Sequence, residues 1–319
     1  MSSIYLTEDN VKNILSIDTT IELVEEIFRE HSKGNAFNMP RQRMRIRKGM
    51  LHMLSAAIPY KGVLGYKAYT SFKAGTQFKV FLHSAETGQL LAIIDANELG
   101  RLRTAAASAI ATKHMAKKEN NLHLVFGAGF QAETQIIAIT KVLNIKKTIL
   151  VNRNKERGDN CIKNIKSKCL LDIERTENHK DYISRADIIT TITTAKDPLF
   201  EVSEINEKGV HINAAGSNSL IRRELSEKII EKADILAVDS KDVALLECGD
   251  ILPSLEKGRL HVNEILELGD IVSGKIMGRK NDKEITIFES HGMGLQDIVC
   301  AHYIYNNAIK SKIGQPLPF

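Results

Sequence analysis

Apolar positions change rhythm along the chain, and the changes predict its elements. Over 18–33 (DTTIELVEEIFREHSK), Ile21, Val24, Ile27 and Phe28 recur at helical spacing; Asp18 is a candidate N-cap and Gly34 a left-handed stop. From 43 to 95 the apolar runs are short and strand-like: MRIRK, MLHMLSAAI, LGYKAYTS, FKVFLH and LLAIIDA. Gly49, residues 59–62, Gly75 and the Glu86-Thr87-Gly88 turn separate them, which predicts an antiparallel meander. Residues 97–116 read as an Ala-rich helix opened by Asn97. From about 121 apolar strands alternate with helical stretches, the strands falling at 122–126, 148–152, 187–192, 211–215, 234–239 and 285–290. That alternation predicts a parallel sheet with helices on both faces. A last helix, 296–310, is expected to return to the first domain. The fold class is therefore α/β in two domains, 1–117 with 293–319 and 118–292.

The strand 122–126 runs into Gly127-Ala128-Gly129-Phe130-Gln131-Ala132, a G-x-G-x-x-A loop that opens a helix. Gly127 permits the tight turn, Gly129 lets backbone N–H groups reach a pyrophosphate, and Ala132 lets the helix lie close to the strand. A strand–helix turn in some other α/β protein is the competing reading. At the end of the next strand, sites selective for NAD usually carry Asp or Glu for the ribose 2′-hydroxyl. This chain has Asn152-Arg153-Asn154-Lys155. A neutral amide followed by cations suits a 2′-phosphate, so NADP(H) is expected to be preferred, with NAD(H) possible; an exposed basic turn is the plainer alternative.

Composition narrows the classes without adding one. The 319 residues carry 44 Lys and Arg against 39 Asp and Glu, a net charge of +5, with 5% aromatic residues and no Trp. Neither the charge nor the aromatic content argues for a nucleic-acid binder. Cys161, Cys169, Cys248 and Cys300 are widely spaced, outside any C-x-x-C pair and without a close Cys/His cluster, so neither a disulfide framework nor a metal site is expected. The polar start MSSIYLTEDN has no leader pattern, and no apolar run approaches the ~18 residues of a membrane span. The expectation is a cytoplasmic protein with no membrane partner.

Seven segments, in order along the chain, resemble the ornithine cyclodeaminase/mu-crystallin family: Pro40-Arg41-Gln42-Arg43, Leu64-Gly65-Tyr66-Lys67, Ala85-Glu86-Thr87-Gly88, Leu102-Arg103-Thr104-Ala105-Ala106, the glycine loop, residues 211–216 (HINAAG) and Ser290-His291-Gly292-Met293. The resemblance implies a Rossmann NAD(P)-binding domain beside a discontinuous α/β domain for substrate and dimerisation, a homodimer formed by joined sheets, and an active site in the interdomain cleft. It also implies hydride transfer between a nicotinamide and the α-carbon of a small amino acid or cyclic imino acid.

Such a substrate places a carboxylate beside a C–N bond, so it calls for cations and for an acid near nitrogen. Arg41 and Arg103 match the family's substrate-binding arginines and can make charge-assisted hydrogen bonds. Arg41 can equally be one exposed cation of the basic run 41–48. Arg103, read as lying in the first turn of a helix, opposes the helix dipole and so is expected to serve something else. Lys67 matches the family's strand lysine. It alternates with Tyr66 and Ala68 and faces the other side of the sheet from them. Desolvated or beside another cation, its pKa falls toward neutrality and it can pass a proton to the substrate nitrogen; a solvent-facing lysine is the alternative. Thr104, Thr191, Thr193, Asn213, Gly216 and Ser290 stand where the family's cofactor contacts are expected, although each also fits ordinary turn chemistry.

Two positions depart from the cyclodeaminase pattern. Asn218 stands where those enzymes carry a catalytic aspartate, and an amide cannot take a proton. His52 stands where some carry a glutamate, and can act as acid or base or fill a core position. Loss of ammonia with ring closure needs several proton transfers; reduction of a preformed imine needs fewer. The leading expectation is an NAD(P)H-dependent reductase of small cyclic ketimines such as Δ1-pyrroline- or piperideine-2-carboxylate. The alternatives are an alanine-type L-amino-acid dehydrogenase, ornithine cyclodeaminase, and a non-catalytic nucleotide- or ligand-binding protein of the mu-crystallin type.

Overall fold

A computed structural model describes residues 3–119 and 121–318. The chain divides into two compact units, residues up to 103 together with those from 292 onward, and residues 104–291.

The strands of the first unit are β1 (Ile4–Leu6), β2 (Phe37–Asn38), β3 (Gln42–Ile46), β4 (Gly49–Ile58), β5 (Val63–Phe72), β6 (Gly75–Ser84) and β7 (Leu90–Asp95). β4 to β7 form the antiparallel meander expected from the turns, and β3 and β2 both pair with β4. β1 joins parallel to β7, with the short strand Gln315–Pro316 outside it. Burial alternates along β5: Val63, Gly65, Lys67 and Tyr69 face inward while Tyr66 and Ala68 do not. The helices Ile17–Ser32 and Gly294–Ser311 pack on each other, and the second also packs on β4, β5 and β6. Ile21, Val24, Ile27 and Phe28 supply the buried stripe of the first helix. Its N-cap is Ser16, whose side chain accepts from the Thr19 N–H; Asp18 sits inside the first turn, where its charge complements the helix dipole instead of capping.

The Ala-rich helix runs over Asn97–Met115. Its first N–H groups, on Asn97 and Glu98, donate to the Glu8 carboxylate at 2.6 and 3.0 Å, so the capping group comes from elsewhere in the sequence and not from Asn97. Because the helix begins there, Arg103 and Thr104 lie in its second turn and not at its start.

The second unit holds β8 (Leu122–Phe126), β9 (Lys147–Val151), β10 (Ile173–Thr176), β11 (Ile188–Thr191), β12 (Val210–Ala214), β13 (Ile235–Val238), β14 (Ile265–Glu267) and β15 (Ile285–Glu289). All pairs are parallel, in the order β10-β9-β8-β11-β12-β15-β13-β14. The chain steps outward from β8 to β10 and then resumes at β11 on the other side of β8. This is the strand-order reversal at which doubly wound Rossmann sheets bind ligands. β10 and β14 have no counterpart in the hydrophobic pattern: both are edge strands, and only one residue in each is fully buried.

Residues 104–115 of the Ala-rich helix belong to this unit, so the division falls inside the helix and not at 117. Ala105, Ala106, Ala107, Ala109, Ile110 and Ala111 are all fully buried, which calls for small residues on every face. The last turn is tied down: Asn213 Nδ2 donates to Thr112 Oγ1 at 2.8 Å, and Arg279 Nε and Thr286 Oγ1 donate to the Met115 carbonyl at 2.7 and 2.8 Å. The cysteines are free thiols. Among the described residues no helix is long and apolar enough to cross a membrane.

Candidate functional site

In the first unit two of the cations expected from sequence, Lys67 and Arg103, meet a carboxylate that the sequence does not point to, and the third, Arg41, acts on Lys67. Lys67, 2% exposed, places Nζ 2.8 Å from Asp297 Oδ1 and 2.7 Å from Oδ2, and Asp297 is fully buried. Arg103 Nε lies 3.2 Å from the same Oδ1, and Arg103 Nη1 donates to Gln296 Oε1 at 3.0 Å. Arg41 is buried too, and its charge acts on Lys67. The alternatives raised for Arg41 and Lys67, exposed cations on a solvated face, therefore do not hold.

Glycines make this packing possible. A Cβ on Gly65 would meet the Phe81 carbonyl oxygen at 2.2 Å and Ile298 at 3.0 Å, so its absence lets the helix Gly294–Ser311 settle on β5 two residues from Lys67. Gly292 has φ +83°, and a Cβ there would lie 2.4 Å from Arg103 Nη1.

Burial is the main influence on Lys67 and lowers its pKa to about 7; the Arg103 and Arg41 charges push the same way and Asp297 opposes them. A lysine tuned to neutrality can both give and take a proton. His52 is different. Its ring stacks on Tyr69 at 4.2 Å and 4°, and Nε2 lies 3.1 Å from Ser71 Oγ. Burial, then Arg43 and Arg41, lower its pKa to about 4. Of the two roles open to His52 in the sequence, acid–base group or core position, the first is corrected: His52 stays uncharged, a hydrogen-bonding ring.

The second unit carries the features expected of a dinucleotide site at the carboxyl ends of its strands. Gly127 has φ +110°, and a Cβ there would come within 2.6 Å of the Ile192 carbonyl oxygen. A Cβ on Gly129 would meet nothing within 4 Å, so the loop backbone lies open beside the start of the helix Ala132–Val142, as a pyrophosphate cradle requires. Ala128 packs against the core and Phe130 is exposed. Gln131 Oε1 and Ser290 Oγ are buried without a hydrogen-bond partner, polar atoms for a ligand to engage. These features fit a nicotinamide dinucleotide. Beyond β9, Asn154 caps the helix Lys155–Lys166, Asn152 Oδ1 accepts from the Asn154 N–H, and Arg153 is exposed.

Several other candidates are engaged within the fold. Glu224, outside every sequence motif, accepts from Thr191 Oγ1 (2.9 Å), Thr193 N (2.7 Å), Thr193 Oγ1 (2.6 Å) and Gly216 N (2.8 Å). A Cβ on Gly216 would lie 2.4 Å from Glu224 Oε2, so this glycine serves the carboxylate clamp. The Glu224 and Leu225 N–H groups donate in turn to Asp250 Oδ1 at 2.8 and 3.0 Å. Asn213 is spent between His211 and Thr112, and the Thr104 carbonyl accepts from Gln135 Nε2. Asn218 is exposed in the loop after β12. Cys248, Glu289 and His291, distant in sequence, bring a donor atom each within 4.8 Å of one another. Cys248 Sγ donates to Glu289 Oε2 at 3.6 Å, and burial pushes both pKa values well up, toward the protonated forms.

Asp297 and Gln296 are the site residues that sequence reasoning missed. They lie four and three residues beyond Met293, the end of the family-like segments, and in the sequence pattern Gln296 marks only the start of the last helix.

The chain is similar over most of its length to proteins of known activity. A Δ1-pyrroline-2-carboxylate reductase of Bacillus thuringiensis is 39% identical over 241 residues, 75% of this chain and 74% of its own. The structure of the Thermococcus litoralis Δ1-pyrroline-2-carboxylate reductase in complex with NADH and L-proline superposes with a TM-score of 0.93 at 28% identity, covering 98% of this chain and 100% of its own. An archaeal alanine dehydrogenase dimer with bound NAD has a TM-score of 0.93 at 29% identity, with 100% of both chains covered. The sequence profile of one family matches residues 1–312, nearly the whole length over which glycine loop and cation cluster are distributed, and this chain belongs to that family, the ornithine cyclodeaminase/mu-crystallin family.

Proposed function

We propose that the protein is an NAD(P)H-dependent reductase of small cyclic ketimines, with Δ1-pyrroline-2-carboxylate as the best-fitting substrate. The observation that carries this reading is the buried cluster of Lys67, Arg41 and Arg103 with Asp297. Buried charge is costly without compensation, and a cluster richer in cations than in carboxylates favours an incoming anion. A carboxylate beside a C=N bond supplies that anion and sets the nitrogen near Lys67.

Arg103 and Arg41 grip the substrate carboxylate and orient the ring. Lys67 in its ammonium form donates a proton to the imine nitrogen, and in the reverse direction its neutral amine takes that proton back. The Gly127–Gly129 loop, with Gln131 and Ser290, would hold a reduced nicotinamide dinucleotide, which when bound would supply the hydride for the α-carbon. The imine thus gains one hydride and one proton and becomes a secondary amine. His52, uncharged, adds hydrogen bonding without competing for the carboxylate.

The neutral end of β9 and the exposed Arg153 support a preference for NADPH over NADH. Exposed Phe37, Met39 and Leu64 beside a cavity of about 350 Å³ support a homodimer formed through this sheet. The free thiols fit a cytoplasmic setting. Asn218 argues against ornithine cyclodeaminase.

The test is an absorbance assay at 340 nm offering NADPH or NADH with Δ1-pyrroline-2-carboxylate, Δ1-piperideine-2-carboxylate, and pyruvate plus ammonia. Fastest turnover is expected with a cyclic imine and NADPH. Turnover of pyruvate plus ammonia alone, or of no imine, overturns the reading.

A further inference from the structure

We propose that Asp297 is the positioning residue that sets whether Lys67 holds its proton and couples that proton to the arrival of the substrate carboxylate at Arg103. This rests on the reductase reading and assigns a control element within the same site.

One carboxylate bridges two cations. Both Asp297 oxygens lie within 2.8 Å of Lys67 Nζ, and Oδ1 also lies 3.2 Å from Arg103 Nε. Asp297 cannot move freely, because it sits in the first turn of the buried helix Gly294–Ser311, pressed onto β5 at Gly65. The neighbours of Lys67 across the sheet are Leu54 on β4 and Val80 on β6, neither of them charged. The charged groups acting on Lys67 are Arg103 from the Ala-rich helix, Arg41 from the segment before β3 and Asp297 from the last helix. Cys300, one turn along that helix, also feels Lys67, and burial with Asp297 pushes its thiol far up, so it stays neutral. Asp297 is therefore the group that keeps Lys67 protonated against burial and two arginines.

A substrate carboxylate adds a second negative charge at Arg103. It offsets the arginine that discourages protonation and leaves Asp297 more fully to Lys67. Binding of the acid thus favours the ammonium form that the reaction consumes. The nitrogen receives its proton only when the carboxylate is in place.

The experiment compares pH profiles of kcat/KM for Δ1-pyrroline-2-carboxylate in the wild type, Asp297→Asn, Asp297→Glu and Lys67→Met. The wild-type rate should fall as pH rises through about 7, where Lys67 loses its proton. In Asp297→Asn that fall should move to lower pH by about 1–3 pH units, the usual effect of removing an opposite charge; Asp297→Glu should restore it in part. A uniform loss in Asp297→Asn with the fall unmoved means a merely structural role and overturns the proposal. If Asp297→Asn does not fold, the wild type alone decides: titration of pyrrole-2-carboxylate in two buffers of different ionisation enthalpy near pH 8 should show proton uptake, and none overturns it. A pH-dependent fall that survives in Lys67→Met refutes the lysine's role in the reaction, which is a separate failure.

Discussion

Two buried polar centres, one in each unit, are built to opposite rules. Glu224 is over-provided: four donors surround its two oxygens and Asp250 fixes its backbone. Burial raises its pKa while those hydrogen bonds hold it down. In the Lys67 cluster, by contrast, one carboxylate answers two cations, Lys67 and Arg103. A satisfied buried network rigidifies and offers little to a ligand. An unbalanced one perturbs its members, and such perturbation clusters at functional sites. On the proposed reading, Glu224 shapes the molecule and the Lys67 cluster performs the chemistry.

That contrast can be broken by mutation. Lys67→Met should have the largest effect, lowering kcat/KM for the imine by about 10²–10⁴-fold, the usual range for a general acid, with dinucleotide affinity retained. Steady-state rates with cofactor fluorescence titration check it, and a near-normal kcat would contradict it. Arg103→Leu should weaken the substrate through KM, by roughly 10- to 150-fold if one charge-assisted hydrogen bond of about 1.5–3 kcal/mol is lost. Glu224→Ala should act on stability instead. Stranding the Thr193 and Gly216 N–H groups should cost about 2–5 kcal/mol, or roughly 5–15 °C in Tm, while the fall in rate near pH 7 keeps its place. The smallest change is expected from Arg153→Ser, about a two- to fivefold loss of NADPH preference over NADH, since the residue is exposed and screened.

Legibility in the sequence followed the kind of physics involved. Where one local pattern determines the outcome, reading is direct: alternation puts Lys67 on the opposite face from Tyr66 and Ala68, though not which face is buried, and a strand running into Gly127-Ala128-Gly129 locates the loop and its helix. Helix starts were less legible. Asp18 and Asn97 both looked like caps, but Ser16 has the reachable hydroxyl in one case and the distant Glu8 supplies the carboxylate in the other. Partners joined only by tertiary structure were invisible. Asp297 lies far along the chain from Lys67, and Glu224 gathers Thr191, Thr193 and Gly216, which as isolated strand-end residues resembled cofactor ligands. For His52 the residue type leaves an acid–base role and a core position both open, and burial with two arginines favours the second.

The most direct test of the contrast is calorimetric titration of pyrrole-2-carboxylate into the protein saturated with NADP⁺, comparing wild type, Arg103→Leu and Glu224→Gln. The account predicts that binding collapses in Arg103→Leu and survives in Glu224→Gln. Equal binding by wild type and Arg103→Leu would contradict it, because the buried cations would then not be what holds the acid.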